Sequence, residues 1–66
     1  MQEKLAKRAI LLLGFYQQYL ESEVDCHLIA GSDRPMPGSK RRVSTARKRW
    51  CEAETLINDL LRELNP

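Results

Sequence analysis

Hydrophobic residues fall into two segments with helical spacing, separated by a short stretch rich in proline and glycine. In the second segment, apolar side chains recur at intervals of three and four residues, which is typical of a helix with one buried side. These positions are Val43, Ala46, Trp50, Ala53, Ile57, Leu60 and Leu64. We expect a helix from about residue 40 to 64 that packs along a second helix.

The first segment is apolar on more than one side. Residues 9–16 form an unbroken apolar run, and two neighbouring stripes follow the helical repeat. One stripe contains Leu5, Ala9, Leu12, Tyr16 and Tyr19, and the other contains Ile10, Leu13, Leu20 and Val24. The spacing predicts a helix from about residue 2 to 29, with Gly31 as the left-handed residue just past its end. One neighbouring helix is too narrow to cover both stripes.

Residues 31–38 should form the connecting loop, because they contain two prolines and two glycines. Ser39 or Ser44 is expected to supply the N-cap hydroxyl of the second helix. Gly14 lies inside the first predicted helix at a cost of about 1 kcal/mol relative to alanine. It therefore indicates either a close helix approach or a local bend.

The predicted fold class is all-α: a single domain over residues 1–66 that forms a two-helix antiparallel hairpin completed by dimerisation. A chain this small buries only about 60% of the surface that its unfolded form exposes, so it usually needs a further source of stability. The sequence has no disulfide framework and no cluster of metal ligands. A second protein chain, most simply another copy, is the remaining source.

Catalysis and metal binding are not expected. Cys26 and Cys51 are interpreted as reduced thiols of a cytoplasmic protein. Adjacent helical residues such as Cys26 and His27 point about 100° apart, so they cannot both ligate one ion. With a single histidine and no glycine-rich phosphate loop, the chain is predicted to be a non-enzyme without cofactors.

The apolar run is also predicted to be neither a membrane anchor nor a secretion signal. It is far shorter than the roughly 20 apolar residues that cross a bilayer. Glu3 interrupts the basic residues before it, and no small-residue cleavage site follows.

Charge is distributed unevenly along the chain. The net charge is +2, yet the segment 34–49 contains seven basic residues and no acidic residue. This segment either binds an anionic partner or neutralises the acidic end of the first helix at Glu21, Glu23 and Asp25. A helix-turn-helix with a tight turn is absent from the pattern, so sequence-specific DNA recognition is not expected. Nonspecific nucleic-acid binding through segment 34–49 stays open as an alternative function.

The function predicted first is that of a small helical regulatory protein that binds another protein through exposed apolar helix faces. The basic residues would steer the encounter between the two proteins. The predicted contact residues are Phe15, Tyr16, Tyr19 and Trp50, and the predicted electrostatic guides are Arg41, Arg42, Arg47 and Arg49.

Two resemblances bear on the partner. Residues 49–54, Arg-Trp-Cys-Glu-Ala-Glu, resemble the Trp-Cys-Glu-x-Arg signature of small helical proteins that negatively regulate AraC-type activators in enteric bacteria, with Glu54 in place of the arginine. Ala9 and the Gly-Phe-Tyr of residues 14–16 are similar to that family's earlier elements. This resemblance implies binding to an AraC-type activator or to the nucleoid protein H-NS, without contact to DNA. In length and architecture alone, the chain is also similar to the helical-hairpin chaperones of type III secretion needles, which makes a small secretion chaperone a further alternative function.

Overall fold

Two antiparallel helices make up most of the molecule. The computed structural model describes residues 2–65. Within that range, α1 comprises Glu3–Cys26 and α2 comprises Lys40–Leu64. They pack side by side into a rod of 45 × 17 × 14 Å. The predicted all-α, two-helix hairpin is thereby confirmed.

The seam between the helices is thin because small residues fill it. The buried apolar residues among those described are Ala6, Leu20, Val43, Ala46 and Ala53. Three of these five are alanines, which let the helix backbones approach closely but bury little area each. The larger members of the predicted α2 seam, such as Trp50 and Ile57, are only half-buried. The hairpin alone therefore has a small core.

Polar contacts fix how far one helix slides along the other. The Gln17 side-chain amide donates to Glu54 Oε2 at 2.8 Å and to the Trp50 carbonyl oxygen at 3.4 Å. The Trp50 indole N–H donates to Glu21 Oε1 at 3.1 Å. Since a hydrogen bond weakens steeply with distance and angle, a shift of one turn would break all three contacts.

The first helix ends earlier than predicted. It stops at Cys26 rather than near Ile29, because the backbone after it pairs with the returning chain instead of continuing the helical ladder. The Ile29 N–H donates to the Arg34 carbonyl oxygen, and the Met36 N–H donates to the His27 carbonyl oxygen, both at 2.8 Å. These bonds close a small antiparallel bridge at Leu28 and Pro35.

Two glycines with positive φ shape the loop. Gly31 has φ of 75° and lies in a turn that the Ser32 N–H closes on the Ile29 carbonyl oxygen. It is therefore a turn residue of the loop, and the expectation that it would end α1 directly is wrong. Gly38 has φ of 83° and follows Pro37 in a second turn, closed by the Ser39 N–H on the Met36 carbonyl oxygen. Proline followed by a positive-φ glycine is the preferred sequence of a type II turn.

Ser39 has a different role from the one predicted. It occupies the N-cap position of α2, but its hydroxyl makes no capping hydrogen bond. Instead, Ser39 Oγ lies 3.0 Å from His27 Nδ1, and the serine is buried. Ser44 lies inside α2 and cannot cap it. The serine hydroxyl thus ties the start of α2 to the end of α1.

Gly14 has open space around it. A Cβ atom added there would meet nothing within 4 Å, so a close helix approach does not explain this glycine. The helix is continuous through it, from Glu3 to Cys26.

We expect Gly14→Ala to raise the free energy of unfolding by roughly 0.5–1 kcal/mol, since alanine loses less backbone entropy in a helix. Urea denaturation at one fixed protein concentration would measure this change. A loss of stability would contradict it and would mean that another molecule packs against this position.

We expect Ser39→Ala to lower the free energy of unfolding by about 1 kcal/mol, because the partly buried His27 ring loses its hydrogen-bond partner. Ser44→Ala is the matched control, since its side chain is exposed, and it should change stability by less than about 0.5 kcal/mol. Equal effects at the two serines would refute the loop-closing role.

Candidate protein-binding surface

Most of the large apolar side chains of α1 are exposed. Leu12 and Tyr19 each keep 61% of their surface accessible. The other strongly exposed ones on this helix are Leu5, Leu11, Phe15 and Tyr16, and α2 adds Leu56 and Leu61. Contiguous exposed apolar surface on a small protein marks an interaction site more often than chance.

These side chains divide into two surfaces when they are placed at about 100° per residue around α1. One surface runs beside α2, and we call it the tyrosine face: it consists of Leu5, Leu12, Tyr16 and Tyr19 on α1 with Leu56 on α2. Leu12, Tyr16 and Leu56 line one groove between the helices. The second surface, the outer surface, lies on the side of α1 that points away from α2 and carries Leu11 and Phe15.

The predicted aromatic contact residues are therefore not one cluster. Tyr16 and Tyr19 stack with ring centroids 6.4 Å apart and an interplanar angle of 11°. Phe15 lies next to them in sequence but on the outer surface, where it is 56% exposed. Trp50 lines a separate groove with Val24, on the opposite side of the hairpin from Tyr19, and is half-buried there.

The predicted guiding arginines also divide between the two sides. Arg41, Arg42 and Arg49 line a groove at the loop end of the tyrosine face, together with Tyr19. Arg47 lines the groove that contains Trp50. All four side chains are exposed.

The basic segment lies near the acidic end of α1 without pairing directly with it. Among residues 2–65, no basic side chain of segment 34–49 has a carboxylate oxygen within 4 Å. Glu21 accepts from Trp50 instead, and Glu23 Oε1 lies 3.5 Å from His27 Nε2. The positive charge of the segment is therefore open to an anionic partner.

Ion pairs within single helices lie away from the basic segment. Lys7 Nζ is 2.8 Å from Glu3 Oε1, and this hydrogen bond and charge lower the pKa of the Glu3 carboxyl group. Arg62 pairs with Asp59 near the end of α2. Both pairs are exposed and contribute little to stability.

The two cysteines and the possible metal ligands lie apart within residues 2–65. Cys26 and Cys51 are exposed free thiols. Across residues 2–65, no three His, Cys, Asp or Glu side chains converge into a metal-binding group. Neither helix, as far as it is described, is long and apolar enough to cross a membrane.

Sequence reasoning missed several members of these surfaces. The sequence pattern places Leu5 and Leu12 in one stripe of the first helix, but it does not show which of the two stripes faces α2. Leu11 lies in the unbroken apolar run, and Leu56 lies beside the α2 seam. The sequence shows that both residues are hydrophobic, but only the structure shows that they are exposed.

Comparison with known proteins adds no assignment: no family model, no curated protein and no solved structure matches the chain.

Proposed function

We propose that this protein is a small helical module that binds another protein through the outer surface of α1. The exposure of Phe15 carries this proposal. A phenylalanine that is 56% accessible, with Leu11 one turn before it, places two large apolar side chains where α2 cannot reach them. Burial of such a pair in a partner's groove follows the helix-in-groove mode of recognition.

The basic segment supports an electrostatic role in the same encounter. Arg41 and Arg42 lie at the start of α2 and are free of ion pairs within the described residues. Exposed charges of one sign raise association rates with an acidic surface more than they raise affinity. We therefore assign binding energy to the apolar residues and steering to the arginines.

An AraC-type activator is the partner to test first, with H-NS second. This choice rests on the resemblance at residues 49–54, which does not itself supply the docking surface, because Ala53 is buried in the seam and Trp50 half-buried. Binding would inhibit the activator by covering a contact that it needs, in a cytoplasmic setting.

We expect Phe15→Ser to abolish binding to the activator while leaving the helical content largely intact, because this side chain is mostly exposed and is not one of the buried residues of the α1–α2 seam. Circular dichroism would measure the helical content, and fluorescence anisotropy with a purified AraC-type activator would measure binding. Leu61→Ser is the matched control: it also removes an exposed apolar side chain, but from α2.

Unfolding of the Phe15→Ser variant would contradict the proposal by assigning Phe15 to the core. Equal loss of binding in Leu61→Ser would show that the outer surface of α1 is not the specific contact.

The unpaired basic segment favours nonspecific nucleic-acid binding as a second candidate function. Seven positive charges without a carboxylate within 4 Å, among the described residues, can neutralise several phosphates. No base-reading helix is required for such binding.

If this second function holds, duplex DNA should be shifted in a gel at about 50 mM salt and much less at about 200 mM, since phosphate contacts release counterions. Arg42→Gln should weaken the shift, whereas Arg62→Gln should not, because Arg62 is already paired with Asp59. Absence of a shift at the lower salt concentration would remove nucleic acid as a partner.

A further inference from the structure

The tyrosine face has a symmetric arrangement of residues along both helices. On α1, Leu5 and Tyr19 each lie seven residues from Leu12. On α2, Arg49 and Glu63 each lie seven residues from Leu56. Seven residues are close to two helical turns, so the members of each set point to the same side, about 10 Å apart along the axis.

The midpoints of the two sets lie side by side. Leu12 and Leu56 line the same groove, and Glu63 lies at one end of it. Arg49 lines the neighbouring groove toward the loop, next to Tyr19. Asp59 also lines the first groove beside Glu63, and Glu23 lines the second together with three arginines. The tyrosine face is thus apolar at its centre, net positive toward the loop and net negative toward the opposite end.

We propose that the tyrosine face binds a second copy of this chain in antiparallel orientation, so that two hairpins form a four-helix bundle. The two-fold axis of this dimer lies in the interface, perpendicular to the helices, at the level of Leu12 and Leu56. It therefore places Leu12 opposite Leu12 and Leu56 opposite Leu56. It also places Leu5 opposite Tyr19, and Arg49 opposite Glu63. Such an isologous contact uses the same patch on both copies.

The charges select this orientation over the other face-to-face arrangement. In the alternative dimer, the two-fold axis runs parallel to the helices. Each α1 would then pack on the α2 of the other copy, and residues at the same level along the helix axis would face each other. Arg49 would then face Tyr19, and Glu63 would face Leu5, so neither of the two charges would lie directly opposite the other. The antiparallel arrangement instead forms two Arg49–Glu63 ion pairs.

The exposed area fits an interface of this kind. The chain exposes 5429 Å², compared with roughly 4,300 Å² for a compact monomer of its mass. The difference exceeds the roughly 800 Å² that each partner contributes to a standard protein interface. The radius of gyration of 14.7 Å is likewise larger than the roughly 11 Å expected for this length.

The dimer contact is centred on a different side of α1 from the surface assigned to the regulatory partner. Leu11 points away from that contact, whereas Phe15 lies one turn from Tyr19, at its edge. Dimerisation is tested at Arg49 and Glu63 and partner binding at Phe15, so failure of one and failure of the other are separate results.

Charge reversal tests the proposal on the full chain. Arg49→Glu and Glu63→Arg each place like charges opposite each other twice per dimer. Each single variant should weaken dimerisation by about tenfold in sedimentation equilibrium. The double variant, which carries both changes, should return to within about threefold of the original dissociation constant, because both pairs are restored.

Thiol cross-linking provides a second measurement if a reversed variant fails to fold. In a Cys26→Ser, Cys51→Ser background, Leu12→Cys should cross-link to itself with a short bis-maleimide. Leu5→Cys and Tyr19→Cys should cross-link to each other in a mixture, but neither to itself. Thr55→Cys, on the exposed side of α2 away from the tyrosine face, is the control that should not cross-link.

Three results would overturn the proposal. The first is a folded monomer for the unaltered chain at all concentrations. The second is a dimer whose stability the double reversal does not restore. The third is self-cross-linking at Leu5 and Tyr19 as well as Leu12, which would mean a parallel dimer.

Discussion

The main constraint on this structure is that α2 alone cannot cover the apolar surface of α1. Its apolar residues occupy more than half of the helix circumference, from the side that touches α2 round to Leu11 on the far side. A single antiparallel helix covers a stripe of little more than 100°. Leu12 and Phe15, among others, are left in water for this reason. Both proposed interfaces follow from that one geometric fact.

The residues of the seam reduce further the apolar area that the two helices bury against each other. Alanines at positions 6, 46 and 53 bring the helices together but bury little area, while Trp50 makes its hydrogen bond at the edge of the seam. The polar contacts of Gln17 fix the alignment of the helices without adding apolar burial. Stability and association are then coupled, because a second chain would supply the area that the hairpin lacks.

The regular spacing of the α2 seam was sufficient to predict the hairpin, since period and breakers are local properties of the chain. The end of α1 was not predictable in this way, because the bonds at His27 and Ile29 are made by residues across the loop. The same holds for Ser39, whose partner is twelve residues away. Candidate aromatic residues were identifiable by type, but the separation of Phe15 from Tyr16 and Tyr19 onto two surfaces required the position of α2.

Steering and dimerisation need not compete for the same arginines. In the antiparallel bundle, Arg49 is neutralised by an acidic partner, which removes it from the set of guiding residues. Arg41 and Arg42 lie about two turns nearer the loop, beyond the reach of Glu63. Because the two-fold axis of the proposed bundle sends the loops to opposite ends, each end would present its own Arg41 and Arg42, which have no direct ion pair among the described residues. An acidic partner would thus be met at two sites, one at each end of the bundle.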